Sequence, residues 1–220
     1  MIKYNNPTLS FTWLPLPHLP KVPQKFIDEA KARAYPAPTP EEDLLHVLEL
    51  TTPVYKKRIV TKDGVQHASR TTEGYPLSDE WSEWVRENIT DNFQRTHVSL
   101  SIPYDGKTTL HGAHVDHCNS LKLFYLIDRG GDDAETTFYI KPGHPLTWDI
   151  TTREHVYFTD MDQLIEIDRA KFPLNSWILL NGYVIHGVEN VTGDRLNINV
   201  MVTPDQFEIG FNKIGKESVL

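Results

Sequence analysis

The stretch 121–140, LKLFYLIDRGGDDAETTFYI, decides the fold. Leu121, Leu123, Tyr125 and Ile127 alternate with Lys122, Phe124 and Leu126, the period of two that sends successive side chains to opposite faces of a strand. Arg129-Gly130-Gly131-Asp132 breaks the run with turn residues, and Thr137-Phe138-Tyr139-Ile140 restarts it. The same pattern continues on both sides. Upstream, Val98, Leu100, Ile102 and Tyr104 alternate with Ser99, Ser101 and Pro103. Downstream come Val156-Tyr157-Phe158, Leu164-Ile165-Glu166-Ile167, Trp177-Ile178-Leu179-Leu180 and Leu196-Ile198-Val200, separated by turns such as Pro142-Gly143 and Thr192-Gly193-Asp194. Many short strands joined by turns predict a sandwich or jelly-roll barrel.

The first third reads differently. Prolines 15, 17, 20 and 23 make LPLPHLPKVP extended, because each ring fixes φ and disfavours helix in the residue before it. Pro23 suits the first turn of a helix with Phe26, Ile27, Ala30 and Ala34 on one side. Thr39-Pro40-Glu41-Glu42 is a capping box that predicts a second helix through Leu44, Leu45 and Leu48. Ser78 and Asp79 open a third, carrying Trp81, Trp84, Val85 and Ile89 at helical spacing. The two tryptophans read as packing of that helix onto a sheet in preference to a binding platform. The expectation is one domain, mainly β with flanking helices (α+β). Residues 1–95 form a helical and extended support, 96–203 the β core, and 204–220 a tail that packs on the barrel or joins a homodimer.

With 22 Lys and Arg against 30 Asp and Glu, the net charge of −8 argues against a partner that is nucleic acid. The single cysteine, Cys118, excludes an internal disulfide and fits a reducing compartment. No apolar run approaches the roughly 20 residues of a membrane span, and MIKYNNPTLS lacks the order of a secretion signal. These features predict a cytoplasmic (intracellular) protein with no membrane partner.

The chemistry concentrates in LHGAHVDHCN, 110–119. On a strand His114 and Asp116 point the same way, so an imidazole and a carboxylate can take neighbouring sites on one metal ion. His186, 70 residues beyond Asp116 (186 − 116 = 70), is the leading third ligand, placed near the end of an apolar strand after the Asn181-Gly182 turn. Two histidines and one carboxylate on one face of an octahedron leave three positions open and favour ferrous iron. Nine residues on, Arg195 begins RLNINVMV and shares a face with Asn197 and Asn199. An inward arginine beside a metal needs an anion, and its fork fits a carboxylate. Tyr104, on the face of Val98, Leu100 and Ile102, is placed to share that anion.

His114-x-Asp116, His186 and Arg195 together resemble the signature of the iron(II)/2-oxoglutarate-dependent dioxygenases, and the prolyl-4-hydroxylase-like branch most of all. Tyr104-Asp105-Gly106 leads to His114 as that branch's tyrosine and glycine lead to H-x-D. Tyr125-Leu126-Ile127-Asp128 with Gly130-Gly131 and Glu135-Thr136-Thr137-Phe138 is similar to its "YLN…GGET-F" segment. The run from His186 through Val188, Val191 and Gly193 to Arg195 resembles its closing run. The likeness covers about residues 96–203; the Asp132-Asp133-Ala134 stretch lengthens the GGET pattern. It implies a double-stranded β-helix (cupin-like) core and the metal ligands His114, Asp116 and His186. It implies co-substrate binding by Arg195, Tyr104 and Asn199, and Fe(II), 2-oxoglutarate and O2 as cofactors, with ascorbate an optional reductant. The activity implied is hydroxylation of a C–H bond in peptidyl proline, another amino-acid side chain or a small molecule, with release of succinate and CO2.

Two rivals come from other classes. A metallo-β-lactamase-type zinc hydrolase carries H-x-H-x-D-H, which fails here because Gly112 stands where its first histidine belongs and His111 is one residue off, on the opposite strand face. A non-catalytic jelly-roll binder would have lost a ligand, and none is lost. His111 and His117 are expected at the surface in preference to hydrogen-bonding the metal ligands, and Cys118 in a core. His155 with Asp160 and Asp162 is expected to be a polar loop. Loops after residues 60 and 104 and around 143–162 are expected to rim the pocket.

Overall fold

The computed structural model describes residues 11–35, 55–72, 76–103, 109–116, 121–148 and 156–202, with side chains at 55–58, 70–72 and 109 left aside. The helix expected after Thr39, the tail 204–220, and Tyr104, His117, Cys118 and His155 lie outside the described residues. In chain order the elements are β1 (Trp13–Pro15), α1 (Gln24–Ala34), β2 (Tyr55–Lys62), β3 (Val65–Thr72), α2 (Asp79–Asn88), β4 (Arg95–Pro103), β5 (Thr109–Val115) and β6 (Leu121–Arg129). There follow β7 (Glu135–Ile140), β8 (Val156–Tyr157), a 3-10 turn at Met161–Gln163, β9 (Ile165–Ala170), β10 (Trp177–Asn181), β11 (Ile185–Val191) and β12 (Arg195–Val202).

The strands form two antiparallel sheets, a seven-stranded one in the order β1-β10-β6-β12-β4-β3-β2 and a five-stranded one in the order β8-β5-β11-β7-β9. The chain crosses repeatedly between them: β4, β6, β10 and β12 lie in the first, β5, β7, β9 and β11 in the second. That exchange gives a jelly-roll-like core.

Alternation along β4 and β12 explains which face is which. Val98, Leu100, Leu196, Ile198 and Val200 are fully buried in a cluster with Phe26, Ala30, Trp81 and Val85 of the two helices. Removing each such side chain from water contributes about 1.5–3 kcal/mol. Ser78 caps α2 by accepting from the Trp81 backbone N–H at 3.2 Å. Trp81 has no exposed surface, stacks on Trp84 at 5.3 Å and meets the edge of Phe26 at 5.2 Å, so these rings are packing groups. The opposite face of β12, with Arg195, Asn197 and Asn199, is also buried and looks into the barrel. Phe124, Leu126, Phe138, Phe172, Ile178, Leu180 and Val184 fill part of that interior with apolar surface.

Two expectations need correction. Residues 55–72 are a β-hairpin that extends the first sheet through β4, where the spacing predicts support and a rim loop. Its two-residue turn is Asp63-Gly64, at φ +53° and +71°, the left-handed pair this turn demands. His186 sits on a strand of its own, β11, rather than at the end of the apolar run 177–180. Asp160 and Asp162 serve turns: Asp160 accepts from the Asp162 N–H, and Asp162 accepts from the Asp63 and Gly64 N–H groups at the hairpin tip.

Candidate metal centre

His114, Asp116 and His186 converge, each offering one ligand atom within 4.8 Å of the others. Among the described residues this is the group of three or more His, Cys, Asp or Glu side chains that could hold a metal ion. His114 and His186 are register partners on β5 and β11, with ring centroids 4.5 Å apart. Asp116 follows β5 and is fixed by its backbone N–H donating to Gly182 O at 3.0 Å. Nε2 of His114 lies 3.6 Å from Asp116 Oδ1, and Nε2 of His186 lies 3.6 Å from Oδ2. Metal–donor bonds of about 2.1 Å put neighbouring donors of one ion about 3 Å apart, so a small contraction fits the triad to an ion.

The protonation pattern agrees. His114 Nδ1 lies 3.1 Å from Gly112 O and His186 Nδ1 lies 2.9 Å from Val184 O. A carbonyl only accepts, so each Nδ1 carries a hydrogen and each Nε2 is the nitrogen that faces the centre. Burial drives the His186 ring down to about 3, with His114 and Lys122 acting the same way against the pull of Asp116. A neutral imidazole is the form a metal needs.

Lys122 enters from the opposite sheet, and nothing in the sequence spacing singled it out. Its Nζ lies 2.6 Å from Asp116 Oδ2, with the carboxylate wholly buried. Its clue is compositional: a lysine in a strand whose two faces both carry apolar residues, Leu121 and Leu123 on one and Phe124 and Leu126 on the other.

Arg195 is 5% exposed and opens β12 on the inner face. It donates to Arg129 O at 3.0 Å and to Thr136 Oγ1 at 3.1 Å. Burial and the nearby Arg129 charge, against the pull of Asp128, lower its pKa to about 10, so it stays a cation at neutral pH. Among the described residues no carboxylate lies within ion-pair distance of it. A buried guanidinium in that state calls for an anion. Asn199, two alternations along β12, donates to Ser99 Oγ at 3.1 Å and lies 3.3 Å from His97 Nε2, so it braces β12 to β4.

The expectation of a surface His111 is overturned. His111 is 6% exposed, and neither ring nitrogen has a hydrogen-bond partner. The reason is a β-bulge. His186 pairs with His114 and Val188 with His111, so three residues of β5 run against two of β11. Leu110, Ala113 and Val115 pack on the outer face of the second sheet, and the bulge turns His111 inward beside His114. Gly112 permits it: a Cβ there would meet Val60 Cγ1 at 2.4 Å. An opposed irregularity on β11 between Val188 and Val191, where Asn190 has φ +58°, restores the register.

Tyr157 of β8 pairs with His114 in register and stacks on its ring at 5.4 Å, so one row across the sheet reads Phe138, His186, His114, Tyr157.

No protein-family model matches the chain, and no curated protein matches it in sequence. Among solved structures it is similar to an oxidoreductase of the 2OG-Fe(II) oxygenase family from Burkholderia pseudomallei, at 12% identity and TM-score 0.38 over 80% of this chain and 89% of that one. A Pseudomonas putida prolyl-4-hydroxylase gives 10% identity and TM-score 0.38 over 88% and 94%. The Escherichia coli ribosomal oxygenase YcfD, in complex with cobalt and 2-oxoglutarate, gives 10% and 0.38 over 84% of this chain and 54% of that one.

Proposed function

We propose that this chain is an iron(II)- and 2-oxoglutarate-dependent oxygenase that hydroxylates a C–H bond. One observation carries the reading: two histidines and a carboxylate converge on one point inside a barrel that also buries an arginine with no carboxylate at ion-pair distance among the described residues. Three protein ligands leave room for a chelating co-substrate and for dioxygen. Iron, when bound with 2-oxoglutarate and dioxygen, supplies oxidative decarboxylation to succinate and CO2 coupled to oxygen insertion into a C–H bond. The protein's share is geometry. His114, Asp116 and His186 hold the metal, with Nδ1–H donation to Gly112 and Val184 locking each ring. Arg195, steered by Thr136, takes the distal carboxylate, and Tyr104 and Asn199 assist.

The substrate class is an amino-acid side chain, peptidyl proline first among them, with a small metabolite as the alternative. A protein acting inside the cell fits the composition, and among the described residues no helix is long and apolar enough to cross a membrane.

Anaerobic titration of metal-free protein with iron(II) and then 2-oxoglutarate tests the assignment. A lilac charge-transfer band appearing only after the second addition is the expected result. Zinc-dependent ester or lactam hydrolysis without that band would establish the hydrolase instead. Arg195→Ala should raise the 2-oxoglutarate requirement by one to two orders of magnitude, from a lost charge-assisted pair of about 1.5–3 kcal/mol. Unchanged co-substrate dependence would remove Arg195 from the site. Succinate release stimulated by a panel of peptides and amino acids then identifies what is hydroxylated.

A further inference from the structure

The inner face of the second sheet carries two parallel rows. The first holds Phe138, His186 and His114. The second, two residues along β7 and β11, holds Thr136, Val188 and His111. Two residues of strand span about 7 Å, the scale of a five-carbon keto-diacid. Thr136 in the second row already bonds Arg195 from the facing sheet, so this row lies at the arginine end of the pocket. His111 sits there buried, neutral and with both ring nitrogens unpartnered. A buried imidazole in that condition is destabilising unless something fills its hydrogen bonds. Its row holds Thr136, which bonds Arg195, and the neighbouring row holds the metal ligands His114 and His186.

We propose that His111 is the third donor of an anion clamp, with Arg195 and Thr136, that binds the distal carboxylate of the dicarboxylic co-substrate. The proposal rests on the oxygenase reading above. The imidazole gives one N–H to a carboxylate oxygen while the arginine supplies the charge. The bulge at Gly112 exists in this geometry to bring that N–H inside, since regular alternation would leave His111 on the outer face with Ala113 and Val115.

The test is calorimetric, on full-length protein loaded with manganese(II) so that no turnover occurs. Two ligands are compared: 2-oxoglutarate, and 2-oxopentanoate, which has the same carbon chain without the distal carboxylate. Wild type should bind 2-oxoglutarate far more tightly. His111→Leu should weaken 2-oxoglutarate about tenfold and leave 2-oxopentanoate unchanged, and His111→Gln, which retains a donor, should recover most of the loss. The Leu variant should also melt at the same or a higher temperature than wild type without ligand, because an unsatisfied polar group has been removed; a structural histidine would show the opposite. Equal 2-oxoglutarate affinity in wild type and His111→Leu overturns the clamp, and so does equal weakening of both ligands. Wild-type protein that binds manganese but neither keto acid sinks the oxygenase reading itself.

Discussion

Asp116 is a fully buried carboxylate whose nearest cation is Lys122 at 2.6 Å. Breaking such a pair from one side leaves a charge without compensation, so Lys122→Met should cost the metal-free protein about 3 kcal/mol in urea unfolding. Manganese should shrink the deficit, because a dication replaces the lost ammonium; equal stability of both proteins without metal would dismiss the pair. His111 and His186 make a second prediction. Burial lowers both from 6.5 to about 3. Below pH 6.5 the unfolded chain takes up protons that the native rings refuse, so stability is full above that pH and falls as acid is added. Metal-free protein should lose about 2 kcal/mol between pH 6 and 5 and almost nothing between pH 8 and 7. A flat profile across pH 5–7 would mean the rings titrate in the native state. That His114, Asp116 and His186 meet and that Arg195 faces inward was legible from ligand type, strand period and the family resemblance taken together. His111 was not, because period-two counting assigns it to the wrong face; Gly112 inside an apolar strand was the one available clue.

Elements repeat the same division. The strands from β4 onward, β11 excepted, follow alternation, and α1 and α2 follow helical spacing, α2 with its Ser78 cap, so these were readable. The hairpin of β2 and β3 was missed although Asp63-Gly64 between Ile59-Val60 and Val65 is a strong short-range hairpin signal. Its strands are rich in Lys, Arg and Thr, which dilutes the apolar pattern that marks a buried strand. The hairpin matters to the site because Val60 packs on Gly112 at the bulge. Gly112→Ala should destabilise the fold by about 1–3 kcal/mol through overpacking and reduce metal affinity by moving His114. Adding Val60→Ala makes room and should return metal affinity toward wild type. If the double variant binds metal no better than Gly112→Ala alone, the contact with Val60 does not position the ligand strand.

The molecule as a whole is two sheets facing a shared interior, and the candidate site draws on both. The triad is carried by the second sheet, while from the first Lys122 reaches Asp116 and Arg195 reaches Thr136. A guest held by both should therefore stabilise the entire barrel. At co-substrate a hundredfold above its dissociation constant the gain is about 2.7 kcal/mol, visible as a rise of several degrees in melting temperature for wild type and absent in Arg195→Ala. Rises of equal size in both proteins would place the guest elsewhere. The sheet pairing also limits how much of the barrel the bulge can disturb. The extra residue on β5 and the opposed one on β11 cancel within six positions, from His186–His114 to Val191–Thr109. An irregularity whose two ends annul each other is detachable. A chain lacking both Gly112 and Asn190 would run as an ordinary ladder with His114 still abreast of His186 and His111 still opposite Val188, so both inward histidines would keep their places and only the kink between them would go.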